Sequence, residues 1–243
     1  METKMIRMQE VDSTNTFLKN LKTYDADALT VAVADHQTAG RGQGTHTWES
    51  EPGKNLLFSL LTCPTWVPVR QQFLLSEAGA LAVKDALDTY TDGITLKWPN
   101  DVYWNDKKIS GTLIETSIDS KGIKRCIFGI GININQMEFR SDAPNPVSLA
   151  QILGHEVDRE EVLQKIIEAF KKYYELLRRA DYMDVSGIYH LSLYRRKGFH
   201  RYEDADGEFE GAFVEVEDDG YLILHDKKGM IRSYAVGEIK YKL

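Results

Sequence analysis

The stretch from Leu96 to Glu115, LKWPNDVYWNDKKISGTLIE, constrains the fold more than any other part of the chain. Apolar runs on either side of a polar turn at Asn105-Asp106-Lys107 predict a β-hairpin. Lys97, Asn100, Asp101 and Lys108 crowd into a dozen positions where a buried strand would be apolar. Pro99 lacks the N–H that a central strand needs, so the first run suits a strand end or a sheet edge. Conflicts of this kind between pattern and expected environment gather at functional sites. On these residues alone, a solvated hairpin face and a ligand-facing hairpin are both open.

The rest of the chain sets bounds. Its 243 residues hold one large domain or two small ones, at roughly 100–200 residues each. With 42% hydrophobic residues it buries a real core. A formal net charge of -7 argues against a main role in gripping nucleic acid, which needs a basic footprint. Cys63 and Cys126 show no metal or redox spacing and read as reduced thiols of a cytoplasmic protein. No charged-then-apolar segment opens the chain, and no apolar run reaches the roughly 18 residues of a membrane span.

Asp12-Ser13-Thr14-Asn15 are helix N-cap types, and a short helix through Phe17, Leu18 and Leu21 is expected after them. Residues 29–34 read as a strand that delivers Gln37 into a glycine-rich loop, Gly40 to Trp48. Those glycines allow close backbone approach to a ligand. Arg41 is able to pair with a carboxylate or phosphate, and Trp48 offers a flat face for a base. No Gly-Lys-Ser/Thr follows, so this is not a P-loop. A plain mobile loop fits the glycine content equally well. Residues 55–62, NLLFSLLT, read as a buried strand. The spacing of Leu75, Ala78, Ala82 and Ala86, flanked by Leu74 and Leu81, predicts a core helix over 70–90.

Strands over 108–118 and 123–134 are joined by the turn Asp119-Ser120-Lys121-Gly122. The second ends in Gly129-Ile130-Gly131-Ile132-Asn133, whose glycines suit close packing or ligand approach. Residues 136–148, with Pro144 and Pro146, read as a loop. A helical stripe follows through Leu163, Ile166, Ile167, Phe170, Tyr174 and Leu177. Asp158 and Glu161 have capping-box spacing, and Arg178 and Arg179 suit its C-terminal end. Beyond about residue 190, alternating runs at 209–217, 221–225 and 231–236 predict a small antiparallel β domain. Arg195-Arg196-Lys197, near the join, reads as a solvated linker. Unaided, these patterns describe an acidic two-part α+β protein with a ligand loop and a polar hairpin.

Lys97-Trp98-Pro99-Asn100-Asp101, followed by Lys108-Ile109-Ser110-Gly111-Thr112-Leu113-Ile114-Glu115, resembles the signature of the biotin protein ligase family. Ser13-Thr14-Asn15, Gly40-Arg41-Gly42 with Trp48, and the Gly-x-Gly-Ile-Asn ending at Asn133 resemble further motifs of that family. The likeness runs from Ser13 to the terminal β domain. It implies an α+β fold, with a mixed or antiparallel sheet and flanking helices in a class II synthetase-like catalytic domain over 1–192. It also implies an SH3-like C-terminal β domain over 193–243.

The implied activity is ATP-dependent biotinylation of a lysine on a biotin carboxyl carrier protein, through biotinyl-5′-AMP, with Mg2+ accompanying the triphosphate. The resemblance assigns Ser13, Thr14, Asn15, Gln37, Gly40, Arg41, Lys108 and Gly111 to biotin, and Gln43, Trp48, Asn100, Lys108 and Asn133 to the nucleotide. Lys108, Arg41, Lys97 and Asp101 are its catalytic candidates, and no metal ligands are assigned. Gln43, Thr45 and His46 depart from the family loop, where Arg, Gly and Arg are usual, so this loop is less basic. Alternatives are a lipoate–protein ligase, which shares a similar Lys-Ile-Ser-Gly turn, and a non-catalytic biotin-binding protein. A DNA-binding repressor is not expected, because Ser13-Thr14-Asn15 leaves no room for an N-terminal helix-turn-helix domain. The resemblance also allows a homodimer.

Overall fold

The computed structural model describes residues 1–140 and 145–242. Pro144, within the loop expected over 136–148, lies outside the described residues.

The first strand, β1 (Thr3–Val11), was not expected. It pairs in parallel with β2 (Leu29–Gln37), and the connection between them carries α1 (Thr14–Asn20). Parallel neighbours require such a crossover. The register sets Val11 beside Gln37, and Thr38 N and Ala39 N donate to the carbonyls of Val11 and Asp12. The Ser13-Thr14-Asn15 turn and the glycine loop therefore leave the sheet at the same end. Ser13 occupies the N-cap position but makes no side-chain capping bond among the described residues.

β3 (Leu56–Thr62) is buried throughout and runs antiparallel to β2. α2 (Phe73–Leu87) follows a short 3-10 turn at Val69–Gln71, and its expected stripe is buried. The hairpin region holds three strands where a simple hairpin was expected. β4 (Ile94–Lys97) and β5 (Asp101–Trp104) pair with each other, because Pro99 and its neighbours turn the chain between them. β5 then pairs with β6 (Lys107–Asp119) across a tight turn in which Asn105 takes a left-handed φ of 50°. Asn is among the few non-glycine residues that visit this region readily. β7 (Gly122–Ile132) returns alongside β6.

The large sheet has the order β1-β2-β3-β7-β6-β5-β4. Alternation along its strands divides the core. On one face Leu18 of α1 packs with Ala32, Leu61 and Ile127. The main core, with Phe58, Leu60, Phe128 and Ile130, includes α2 and also Phe170 and Leu177 further along.

α3 (Leu149–Leu153) opens on a capping box formed by Ser148 and Gln151. α4 (Arg159–Arg178) opens on Asp158, which accepts from Glu160 N. The box expected at Asp158 and Glu161 does not form, because the Glu161 carboxylate is drawn to Lys165 and Tyr90. α5 (Tyr182–Leu191) leads to the second sheet. Its strands are β8 (Phe199–Asp204), β9 (Gly207–Val216), β10 (Leu222–Asp226), β11 (Ile231–Tyr234) and β12 (Lys240–Tyr241). They lie in the order β11-β10-β9-β8-β12, all antiparallel. The α+β class and the terminal β unit are as expected.

The solvated-linker reading of Arg195 is corrected. Its guanidinium donates to Lys242 O at 2.7 Å and Arg201 O at 3.1 Å, and lies over Tyr194 and Tyr241. The last strand is thereby tied to the chain entering the second sheet. No helix among the described residues is long and apolar enough to cross a membrane.

Candidate active site

The mouth of α1, the glycine loop, the β4–β6 meander and the end of β7 converge on one cavity of about 860 Å³. Every residue assigned from the sequence to catalysis, biotin or the nucleotide lines it except Gly40. Gly40 serves at one remove. A Cβ there would lie 2.7 Å from the Trp48 carbonyl, and Trp48 N donates to Gly40 O at 3.0 Å. The glycine lets the two ends of the loop close on each other. Gly44, at φ +63°, supplies the left-handed residue inside the loop.

The floor of the cavity is polar and bonded internally. Gln37 Oε1 accepts from Thr14 N at 2.7 Å and from Thr14 Oγ1 at 3.0 Å. Ser59 Oγ lies 2.7 Å from Thr14 Oγ1 and 2.6 Å from Asn15 Oδ1, with a single proton to give. Asn15 Nδ2 donates to Glu115 Oε2 at 2.9 Å and to Leu113 O at 3.2 Å. Two glycines of β7 make this arrangement possible. A Cβ on Gly129 would stand 2.7 Å from Asn15 Cγ, and one on Gly131 would stand 2.7 Å from Trp48 Nε1. The Trp48 indole thus lies flat against the sheet. Its N–H is buried without a hydrogen-bond partner among the described residues.

The cations line the same cavity. Lys108 Nζ is 2.6 Å from Asp101 Oδ1, and Lys97 Nζ is 3.8 Å from Asp101 Oδ2. The backbone of Lys108 is held on both sides. It pairs with Tyr103 in β5, donates to Asn145 O and accepts from Val147 N. A Cβ on Gly111 would meet Lys108 Nζ at 3.2 Å, so glycine leaves the ammonium its room. Lys97 lies 5.2 Å from the Tyr103 ring centre and 4.7 Å from that of Tyr241. Burial lowers its pKa; Asp101 opposes that, while Lys108 and Arg195 add to it. Arg41 Nη2 is 2.7 Å from Glu115 Oε2. Burial acts to raise the Glu115 carboxyl, but bonds from Asn15 and Arg41 outweigh it and hold the pKa below the usual range.

Two nucleotide candidates have structural work as well. Asn100 Nδ2 donates to Thr112 O at 2.7 Å, and Asn133 Nδ2 to Val147 O at 3.2 Å. Both still line the cavity. Sequence reasoning missed Ser59, Glu115 as a side chain with a part to play, and the wall formed by Val236, Gly237 and Ile239 to Tyr241. Ser59 had a signal, as a hydroxyl in the middle of an apolar strand. Glu115 had another, as the closing letter of the hairpin motif. The terminal wall had none. Among the described residues, no group of three or more His, Cys, Asp or Glu is placed to hold a metal ion.

A polar recess beside clustered cations defines a site for a small molecule that carries both a hydrogen-bonding head and a negative charge. Residues 7–133 match the model of the biotin/lipoate A/B protein ligase family. The bifunctional ligase/repressor BirA of Bacillus subtilis (strain 168) is 30% identical over 234 residues, which span 93% of this chain and 70% of that one. The biotin–[acetyl-CoA-carboxylase] ligase of Paracoccus denitrificans is 29% identical over 204 residues, 81% of this chain and 84% of its own. Among solved structures, the biotin protein ligase of Aquifex aeolicus in complex with biotin and ATP superposes with a TM-score of 0.81 at 29% identity. That match covers 98% of this chain and 99% of the other. The chain belongs to the biotin/lipoate A/B protein ligase family.

Proposed function

We propose that this chain is an ATP-dependent biotin protein ligase, a biotin–[acetyl-CoA-carboxylase] ligase by reaction. The observation that carries the reading is the junction of the bonded floor at Thr14, Asn15 and Gln37 with the cationic wall at Lys97 and Lys108, in one cavity of about 860 Å³. Ligand sites commonly run to about 300–1,000 Å³. Biotin has a ureido head that both donates and accepts, and a carboxylate tail that needs a cation.

Ser13, Thr14, Asn15 and Gln37 take the ureido ring, with Gly40, Arg41 and Gly111 along the path to the tail. Gln43, Trp48, Asn100 and Asn133 take the nucleotide. Lys108 stands between the two ligands. In the first step the biotin carboxylate oxygen attacks the α-phosphorus, and the bond to the β-phosphate breaks with loss of pyrophosphate. Charge concentrates on the α-phosphate, where fixed cations at Lys108, Lys97 and Arg41 stabilise it most. In the second step the carrier lysine, as a neutral amine, attacks the acyl carbon, and AMP leaves. Asp101 holds Lys108 before reaction and accepts or orients the amine proton during transfer.

Magnesium belongs to the proposal as a companion of the triphosphate, whose oxygens it neutralises. Asp101, the carboxylate between the two lysines, is already engaged by them, which suits a metal that arrives on the nucleotide. The division into 1–192 and 193–243 is supported by the separate second sheet. A biotin carboxyl carrier protein as acceptor and a cytoplasmic setting complete the reading, which is compatible with a monomer or a homodimer. No specific DNA binding is included, in keeping with the net charge of -7.

The test is transfer. The chain is incubated with ATP, magnesium and a biotin carboxyl carrier domain, with biotin or lipoate, and the carrier is weighed by mass spectrometry. Biotin on the carrier lysine supports the proposal. Lipoate in its place would move the chain to the other branch of the family. Tight biotin binding without transfer would favour a binding protein.

A further inference from the structure

Glu115 does not line the cavity. It stands behind the wall on β6, and its side chain is 23% exposed. Yet it touches both parts that a small ligand would have to engage. Oε2 accepts from Asn15 Nδ2 at 2.9 Å and from Arg41 Nη2 at 2.7 Å, while Oε1 lies 3.6 Å from Lys19 Nζ. A path of close polar contacts therefore runs from Gln37 through Thr14, Ser59, Asn15 and Glu115 to Arg41, bonded from Ser59 onward when the Ser59 proton goes to Asn15 Oδ1. It begins just before the glycine loop and ends inside it.

The chemistry of the carboxylate makes this path directional. Ionised, it only accepts, so it draws Nδ2 of Asn15 toward itself and leaves Oδ1 for the Ser59 hydroxyl. The orientation of a nine-tenths-buried amide on the cavity floor is thus set from behind. The same oxygen is half of the ion pair that holds Arg41. If the loop lifts, Glu115 loses its arginine, and the oxygen shared with Asn15 Nδ2 loses one of its two donors. Bonded networks of this kind rise and fall together.

We infer that Glu115 is a positioning residue that latches the glycine loop to the ring-binding floor, so that a ligand seated on Asn15 favours the closed loop. The inference rests on the biotin reading of that floor. Glu115→Gln is the informative variant: it keeps an amide oxygen for Asn15 but removes the charge facing Arg41. Half-exposed pairs of this kind are worth roughly 0.2–1 kcal/mol, equivalent to about 1.4- to 5-fold in an equilibrium.

The experiment measures amide hydrogen exchange of residues 40–48, with and without biotin, in the wild type, Glu115→Gln and Glu115→Asp. In Glu115→Gln the loop amides are expected to exchange faster by about that factor. Their slowing by biotin is expected to shrink, while strand amides of β3 and β7 stay as in the wild type. Glu115→Asp keeps the charge but is one methylene shorter. It restores part of the slowing, and it carries the test by itself if the Gln variant does not fold.

Wild-type exchange and biotin response in every folded variant would overturn the inference, and so would a uniform rise across the whole chain. The wild type separates the two readings. No slowing of its loop by saturating biotin would sink the biotin reading. Normal slowing that persists in the variants would sink the latch alone.

Discussion

Lys97 and Lys108 stand on a strand meander, whereas Arg41 stands in a glycine loop, and the two settings hold their charges differently. Lys108 is gripped by β5 on one side and residues 145–147 on the other, and its side chain is 26% exposed. Lys97 is 18% exposed and lies between two tyrosine rings. Arg41 is 42% exposed, and its loop is held by a bridge to Thr47 and by Glu115. Fixed cations suit a step in which charge develops at a known point, because nothing need reorganise as it forms. A cation in a glycine loop suits closure over a labile intermediate and the exclusion of water. On this view the meander sets the rate of adenylation and the loop sets how long the adenylate stays.

The largest expected effect strikes the meander. Lys108→Ala should slow single-turnover adenylate formation by about 10²–10³-fold, the scale seen when one fixed donor to developing charge is lost. Escape of preformed adenylate should change far less. If escape rises as much as formation falls, the division of labour between the two regions is wrong.

Asp101→Asn sharpens the same side. Transfer to the carrier lysine should fall by roughly 10²-fold, the lower range for general acid–base help, with a changed pH profile. Full-rate transfer across pH would remove Asp101 from that step. On the loop side, Gln43→Arg restores the cation usual at this place in the family loop. Adenylate released to solvent should fall a few-fold, measured by chromatography of free biotinyl-AMP, with the formation rate nearly unchanged. An equal change in formation would erase the contrast between loop and meander.

A smaller effect lies outside both regions and serves as a control. Glu77 on α2 is 3% exposed, with Ser186 Oγ at 3.4 Å and no partner for Oε2 among the described residues. Burial pushes its carboxyl from 4.5 to about 8; the Ser186 hydroxyl opposes this and Asp218 adds to it. The folded chain therefore keeps a proton that the unfolded chain has lost. The stability this contributes is fully present below about 4.5 and is lost as pH rises through about 8. Glu77→Gln should flatten that decline. Thermal melts at pH 6 and pH 9 check it, at about 2–4 °C for each kcal/mol recovered. Adenylation by the variant at pH 7 should match the wild type.

Much of the site was legible because it is written in polar residues set against apolar runs. Lys97, Asp101 and Lys108 stand out on strands and Asn100 in the turn between two of them, and they meet in the cavity. The two glycines near the end of β7 each make room for a neighbouring side chain. Gly129 does so for Asn15 and Gly131 for Trp48. What stayed hidden has weak patterns. β1 has no fully buried residue, so its alternation is faint. α5 buries Val185 and Tyr189 while leaving Met183 and Leu191 in solvent, which blurs its stripe. β8 buries Tyr202 alone. Tyr241 reaches Lys97 only because the second sheet folds back on the first, a contact between residues 144 positions apart (241 − 97 = 144). No local pattern encodes such a contact.

The most direct measurement of the central claim is exchange of labelled pyrophosphate into ATP, run with biotin and with lipoate on the wild type and on Lys108→Ala. The account predicts exchange that requires biotin, ignores lipoate and collapses in the variant. Exchange that proceeds without biotin, or that Lys108→Ala leaves intact, would contradict it.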